Sequence, residues 1–215
     1  MRLKNTLSLA LLLLSTHFLF AQATTIKLEN PSFEDFPGAA HTPECWLDCG
    51  FDGESPPDVQ PGGSFMATPK PAKHGKTYLA MVTRDNSTWE AVGQKLKVPF
   101  TTDTCYKMSL FLARSPRYLS KSQLTSRDAN YDAPTKLRIW TGKEACNKDE
   151  FLAESPQIFD ENWTKCTFIL KPKTKGVYIT FEAYYVNDLI LKANGNILLD
   201  NVSDIVPCGC SEPKY

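Results

Sequence analysis

The chain has 215 residues, with 24 basic and 24 acidic side chains and a formal charge of zero at neutral pH. That balance, with no run of Lys or Arg, gives no electrostatic footprint for nucleic acid. Apolar residues make up 42% and charged residues 22%, a globular mixture that excludes an intrinsically disordered chain.

Arg2 and Lys4 open the chain, Leu7 to Phe20 is almost wholly apolar, and Ala21-Gln22-Ala23 follows. This is the three-part pattern of a secretory signal. Its apolar stretch is shorter than the roughly 20 residues that span a bilayer. Residues 1–23 are read as a signal peptide and 24–215 as a single exported domain, bound for the periplasm, the cell surface or the extracellular space.

Short runs of β-forming residues follow, separated by Pro, Gly, Asn and Asp. Strands are predicted at Thr77–Arg84 and Thr88–Leu96. Cys105–Arg114 places Tyr106, Met108, Leu110 and Leu112 on one face. Lys136–Trp140 turns Leu137 and Ile139 inward and Arg138 and Trp140 outward. Trp163–Leu170, Val177–Val186 and Asn196–Ile205 complete the set. The count is about ten strands and no helix beyond a possible turn at Lys148–Ala153, so the class is an all-β jelly-roll sandwich. Phe51–Lys76, rich in Pro and Gly, and the polar stretch Ser115–Pro134 read as long loops.

Seven cysteines lie at positions 45, 49, 105, 146, 166, 208 and 210. Export favours disulfides, and an odd number leaves at least one thiol over. Cys146 with Cys166 is the first pairing expected, since both flank a strand pair. Cys105 is expected to join Cys208 or Cys210, and Cys45 with Cys49 would make a local bridge. The spacings Cys-x-x-x-Cys and Cys-x-Cys do not match structural zinc sets.

Strand alternation sets Tyr178, Glu182 and Tyr184 on the face opposite the core residues of their strand. Arg138 and Trp140 face away from theirs. If the two strands share a sheet, an aromatic and charged strip results, which Trp89 and Arg114 would extend. Sugars present C–H faces that stack on aromatic rings and hydroxyls that pair with planar polar groups, so Arg138, Trp140, Glu182, Tyr184, Trp89 and Arg114 form the candidate ligand-binding set. The opposing expectation is that Trp140 and Tyr184 are covered by the long loop and finish the core. Tyr118 and Tyr131 of that loop are further candidates for stacking.

Catalytic patterns are sparse. His41 and His74 sit in loop stretches, no Gly-x-Ser-x-Gly occurs, and no phosphate-cradling loop is present. Carboxylate pairs for glycoside hydrolysis arise by chance among so many acids. Glu90 beside Trp89 and Glu182 between Tyr178 and Tyr184 are the acids to inspect, and no enzyme is predicted.

Asn30-Pro31-Ser32-Phe33-Glu34-Asp35 near the start and Asn196-Ile197-Leu198-Leu199-Asp200-Asn201-Val202 near the end carry a resemblance. An Asn-x-x-Phe-Glu segment paired with a strand ending Asp-Asn-Val resembles the galactose-binding-like jelly roll of non-catalytic carbohydrate-binding modules. Leu137–Gly142 with Cys146 and Leu152–Pro156 is similar to secreted surface proteins of gliding Gram-negative bacteria. The resemblance implies that the first and last strands are neighbours and that Glu34 and Asp200 approach a shared structural calcium. Carbonyls of the Lys73–Tyr78 turn would complete the oxygen ligands that calcium requires. The alternative is that both carboxylates simply accept hydrogen bonds from loop backbone. The expected function is a secreted module that binds carbohydrate. A structural or adhesion protein meeting cell-surface partners is the alternative, and a polysaccharide hydrolase a third.

Overall fold

The computed structural model describes residues 24–62, 70–187 and 192–210. The expected signal peptide, residues 1–23, lies outside the described residues. Among the described residues thirteen strands occur in chain order: β1 (Leu47–Asp48), β2 (Asp58–Gln60), β3 (Tyr78–Thr83), β4 (Ala91–Lys95), β5 (Tyr106–Ala113), β6 (Leu119–Lys121) and β7 (Asp128–Asn130). They continue as β8 (Thr135–Gly142), β9 (Glu150–Glu154), β10 (Thr164–Leu170), β11 (Tyr178–Tyr185), β12 (Gly195–Asp200) and β13 (Val206–Pro207). No helix occurs among the described residues. The turn expected at Lys148–Ala153 is instead the entry to β9, which pairs with β8. Thr141 and Trp140 sit opposite Glu150 and Phe151, so the ladder recruits this segment as strand.

Two antiparallel sheets form a jelly-roll sandwich. One has the order β1-β4-β11-β8-β9; the other runs β10-β5-β12-β3-β2, with β13 also paired to β5. The alternation read from the sequence makes the core between them. Tyr106, Met108, Leu110 and Leu112 of β5 face Leu137 and Ile139 of β8 and Ile179, Phe181 and Ala183 of β11 in one buried cluster. Side chains of period two allow each strand to supply one row to this layer and one row to its other face.

The two sheets treat their outer faces differently. Tyr78, Ala80 and Val82 of β3, Ala113 and Leu198 form a second buried cluster outside the six-stranded sheet. Its lid is the stretch 115–134, expected as a loop, which contains the β6–β7 hairpin. Tyr118 and Tyr131 are buried there, so neither stacks on a ligand. The Tyr118 hydroxyl donates to Asp58, and the Tyr131 hydroxyl donates to the Lys121 carbonyl at 2.5 Å.

Two disulfides close the fold, Cys49–Cys146 and Cys105–Cys210. The second matches one of the expected pairings. The first replaces both Cys146–Cys166 and Cys45–Cys49. Cys166 belongs to β10, opposite Leu110 in the six-stranded sheet, whereas Cys146 leaves β8 in the other. Cys45 and Cys49 flank β1, and Cys49 is taken by Cys146, which leaves Cys45 as an exposed thiol. The Cys49 sulfur lies over Gly93 of β4, where an added Cβ would sit 2.8 Å from it. A glycine at that position lets the bridge lie against the sheet.

Candidate functional site

The outer face of the five-stranded sheet is built mainly by β8 and β11. In their register Glu182 lies opposite Arg138, Thr180 opposite Trp140 and Tyr184 opposite Lys136. Trp89 precedes β4 on the other flank of β11. Five of the six predicted residues therefore meet: Trp89, Arg138, Trp140, Glu182 and Tyr184. The four besides Glu182 are partly exposed, so the long loop does not cover them.

Glu182 organises this row from beneath. It is 2% exposed and accepts the indole N–H of Trp89 at 2.6 Å and that of Trp140 at 2.7 Å. Lys148 adds its ammonium to the same carboxylate. Burying a charge is tolerated only when it is paired and hydrogen-bonded, and these three donors meet that condition. Glu182, expected as a ligand group, positions the two indoles from beneath the row, and Lys148 fills the remaining approach to its carboxylate.

The upper part of the row is fixed by a second carboxylate. Arg138 Nε donates to Glu154 at 2.8 Å and Lys136 Nζ donates to it at 2.7 Å. Burial works against ionisation of Glu154, but the hydrogen bonds from Lys136 and Arg138 hold its pKa below the usual value. The Arg138 guanidinium lies over the Tyr184 ring, and Trp89 meets Tyr184 edge to face at 4.9 Å. Phe51 packs edge-on against Trp89 at 4.8 Å, and Phe151 against Trp140 at 5.1 Å. Both phenylalanines are exposed and lengthen the row at its ends. Phe151 was legible only through its register with Trp140, and Phe51 and Lys148 had no sequence signal.

Arg114 does not join. It follows β5, in the opposite sheet, and donates to the carbonyls of Phe159 at 3.2 Å and of Asp132. It anchors the end of the 115–134 segment. Glu90 is likewise internal: it pairs with the buried Arg84 and accepts the Val82 N–H at 2.9 Å. Burial pushes the pKa of Glu90 well up, and that of Asp58 up as well. These acids, with Arg84, Tyr118 and Tyr131, line a cavity of about 20 Å³, room for a single water and not for a saccharide.

The two resemblance carboxylates grip one turn. Asn30 accepts the Glu34 N–H at 2.8 Å and donates to the Glu34 carbonyl at 2.9 Å, which shapes the Asn-x-x-Phe-Glu bend. Glu34 then accepts the N–H of Lys76 at 3.0 Å and that of Thr77 at 3.4 Å. Gly75, at φ 68°, comes so close that a Cβ would lie 1.9 Å from Glu34 Oε1. Asp200 Oδ2 accepts from Lys73 N at 2.7 Å and His74 N at 2.9 Å. Hydrogen bonding to loop backbone, the alternative to a metal, is therefore present. Asp200 Oδ1, however, is buried with no hydrogen-bond partner. Burial raises the Asp200 pKa to about 6, and the nearby Glu34 charge adds to the rise. An open oxygen on a carboxylate beside a second carboxylate suits a hard cation. Among the described residues no group of three or more His, Cys, Asp or Glu side chains could hold a metal, so backbone oxygens would have to supply the rest.

No protein-family model matches the sequence, and no curated protein does. Solved structures are similar in fold. The Stig cyclase Fisc from Fischerella sp. TAU, in complex with (3Z)-3-(1-methyl-2-pyrrolidinylidene)-3H-indole, aligns with a TM-score of 0.53 at 14% identity, covering 86% of this chain and 98% of its own. A cyclase from Fischerella sp. TAU gives a TM-score of 0.51 at 15% identity over 86% of this chain and 97% of its own. The CBM22-1 xylan-binding domain of Xyn10C from Paenibacillus barcinonensis gives 0.48 at 17% identity over 87% and 97%. Identities this low establish the shared β-sandwich fold and nothing of the chemistry.

Proposed function

We propose that this protein is an exported, non-catalytic module that binds carbohydrate along the aromatic row of the five-stranded sheet. One observation carries the reading: Glu182 locks the indoles of Trp89 and Trp140 while Arg138 stacks on Tyr184, leaving fixed, partly exposed rings in a line. Rings fixed in advance lose little entropy when a sugar stacks on them, and stacking on C–H faces is the main attraction aromatic surfaces offer a glycan. Lys136 and Arg138 supply polar edges beside the rings for hydroxyl groups. The two disulfides support an oxidising destination.

We further propose a structural calcium held by Glu34 and Asp200 with carbonyls of the Lys73–Tyr78 turn. When bound it would neutralise two neighbouring carboxylates and join the first segment of the sandwich to β12. The open oxygen of Asp200 supports this assignment.

A glycan array probed with residues 24–215, with and without calcium, tests the reading. Binding to a defined glycan that disappears in Trp140→Ala is the expected result. A blank array overturns carbohydrate recognition and leaves protein partners at the cell surface as the reading to pursue.

A further inference from the structure

We propose that Lys148 is a built-in occupant of a cation site formed by Glu182, Trp89 and Trp140, and that the external ligand of this site is the protonated primary amine of an amino sugar. The inference deepens the carbohydrate reading of the same row and rests on it.

The three donors to Glu182 are not equivalent. Trp140 of β8 and Trp89, just before β4, stand on the two sides of β11, and each indole sits in the packed row already described. Lys148 comes from the connection between β8 and β9, and its side chain remains 27% exposed. Its ammonium lies 5.8 Å from the centre of the Trp89 ring while contacting Glu182. Rotation of this one side chain uncovers a carboxylate oxygen without moving backbone.

A buried carboxylate beside an indole face selects cations over neutral groups through charge and ring quadrupole together. Removing Lys148 would leave Glu182 as a buried charge with two neutral donors, an unfavourable state that another ammonium relieves. Thr180 and Tyr184 flank Glu182 on its face of β11, and Trp140 sits opposite Thr180. A sugar stacked on Trp140 or Tyr184 therefore carries its substituents past this carboxylate. A primary amine fits there as the lysine amine does; an N-acetyl group brings no charge.

The tether makes Lys148 a competitor. Cys146, two residues earlier, is bonded to Cys49 on β1's edge, and Lys143 N donates to Asp149 at 2.9 Å across the same connection. A side chain held this close acts at high effective concentration. Lys148 therefore sets a threshold that a single amino sugar does not cross, whereas an oligomer held at several rings does.

The test titrates a glucosamine oligosaccharide and its fully N-acetylated counterpart into wild type and Lys148→Met. The indole N–H resonances of Trp89 and Trp140 are followed at about pH 6, where the amine is protonated. The deacetylated oligomer is expected to shift both resonances in wild type. It should do so at about tenfold lower concentration in Lys148→Met, because the competing state is gone. The acetylated oligomer should gain nothing from the substitution. Unmoved indole signals in both proteins, or an equal gain for both oligomers, overturn the proposal. Lys148→Gln serves if Lys148→Met does not fold. Neutral glycans that bind with no preference for amines would leave the carbohydrate reading standing and this inference failed. Binding of the deacetylated oligomer with no neutral hit would support both readings and restrict the row to amino sugars, whereas no glycan bound at all would overturn both.

Discussion

Arg138 holds its guanidinium 3.3 Å from the centre of the Tyr184 ring. The contact fixes the ring and closes one of its faces, so recognition at this end uses the remaining face and edge. Arg138→Ala should therefore free Tyr184 as well as remove a polar edge. Its expected effect is a loss of glycan affinity of about tenfold, with the Trp140→Ala, Tyr184→Ala double variant losing more. Calorimetry with the glycan found on the array checks this, and wild-type affinity in the double variant would place the binding site elsewhere.

Glu182→Gln removes the charge that balances Lys148 and presents an amide N–H₂ toward groups that are themselves donors. A loss of about 2–4 kcal/mol in unfolding free energy is expected. Urea denaturation measures it. A change below about 0.5 kcal/mol would mean that the carboxylate is not the keystone of the row.

Asp200 gives a pH signature. Its pKa is about 6 in the folded protein against an ordinary value of 3.8, so between those values the folded state holds a proton that the unfolded chain has released. Stability should then fall as pH rises from about 4 to 6, by on the order of 2–3 kcal/mol without calcium. Calcium should reverse the loss by favouring the ionised carboxylate, and Asp200→Asn should abolish both the pH dependence and the calcium response. Thermal melts in chelator and in calcium across this range test the assignment. Identical melts would remove calcium from the account.

Cys49–Cys146 spans 97 residues of sequence and Cys105–Cys210 spans 105. Loops of this length constrain the unfolded chain strongly, so replacing Cys49 and Cys146 together by Ser should cost roughly 2–5 kcal/mol. The same pair fixes the connection that carries Lys148, and its loss should loosen that lysine as well. Denaturation and lysine labelling report the two effects separately.

Cys45 is exposed, and Cys166 is half-buried with its pKa raised by burial. A thiol reagent at neutral pH should label Cys45 first and Cys166 slowly. Mass mapping of the labelled peptides gives the order directly.

The sheets were legible where side chains alternate over a whole strand. Tyr106 to Leu112 and Leu137 to Trp140 announced their inner and outer rows, and those rows placed Arg138 and Trp140 correctly. What alternation could not convey was depth. Tyr178 and Tyr184 stay partly exposed on the face of β11 where Thr180 and Glu182 are buried, because the indoles of Trp89 and Trp140 close over the carboxylate. Arg114 failed because it lies just beyond β5 of the other sheet, where the carbonyls of Phe159 and Asp132 take up its guanidinium. Tyr118 and Tyr131 looked like loop residues because their hairpin strands are only three residues long. Cys146 found Cys49 through a sheet register that no local spacing encodes.

Ile26 and Ile205 exchange backbone hydrogen bonds, each donating at 2.9 Å to the other. The segments at Ile26 and Ile205 thus run side by side at one strand spacing, about 5 Å, and the described chain continues past Ile205 through β13 to the Cys105–Cys210 bridge. Pulling on both ends would load the Ile26–Ile205 bridge from the N-terminal side, whereas the C-terminal pull would pass through the Cys105–Cys210 disulfide into β5. The aromatic row lies on the five-stranded sheet, away from both anchors, so force on the ends would reach the other sheet first and leave the row's geometry undisturbed.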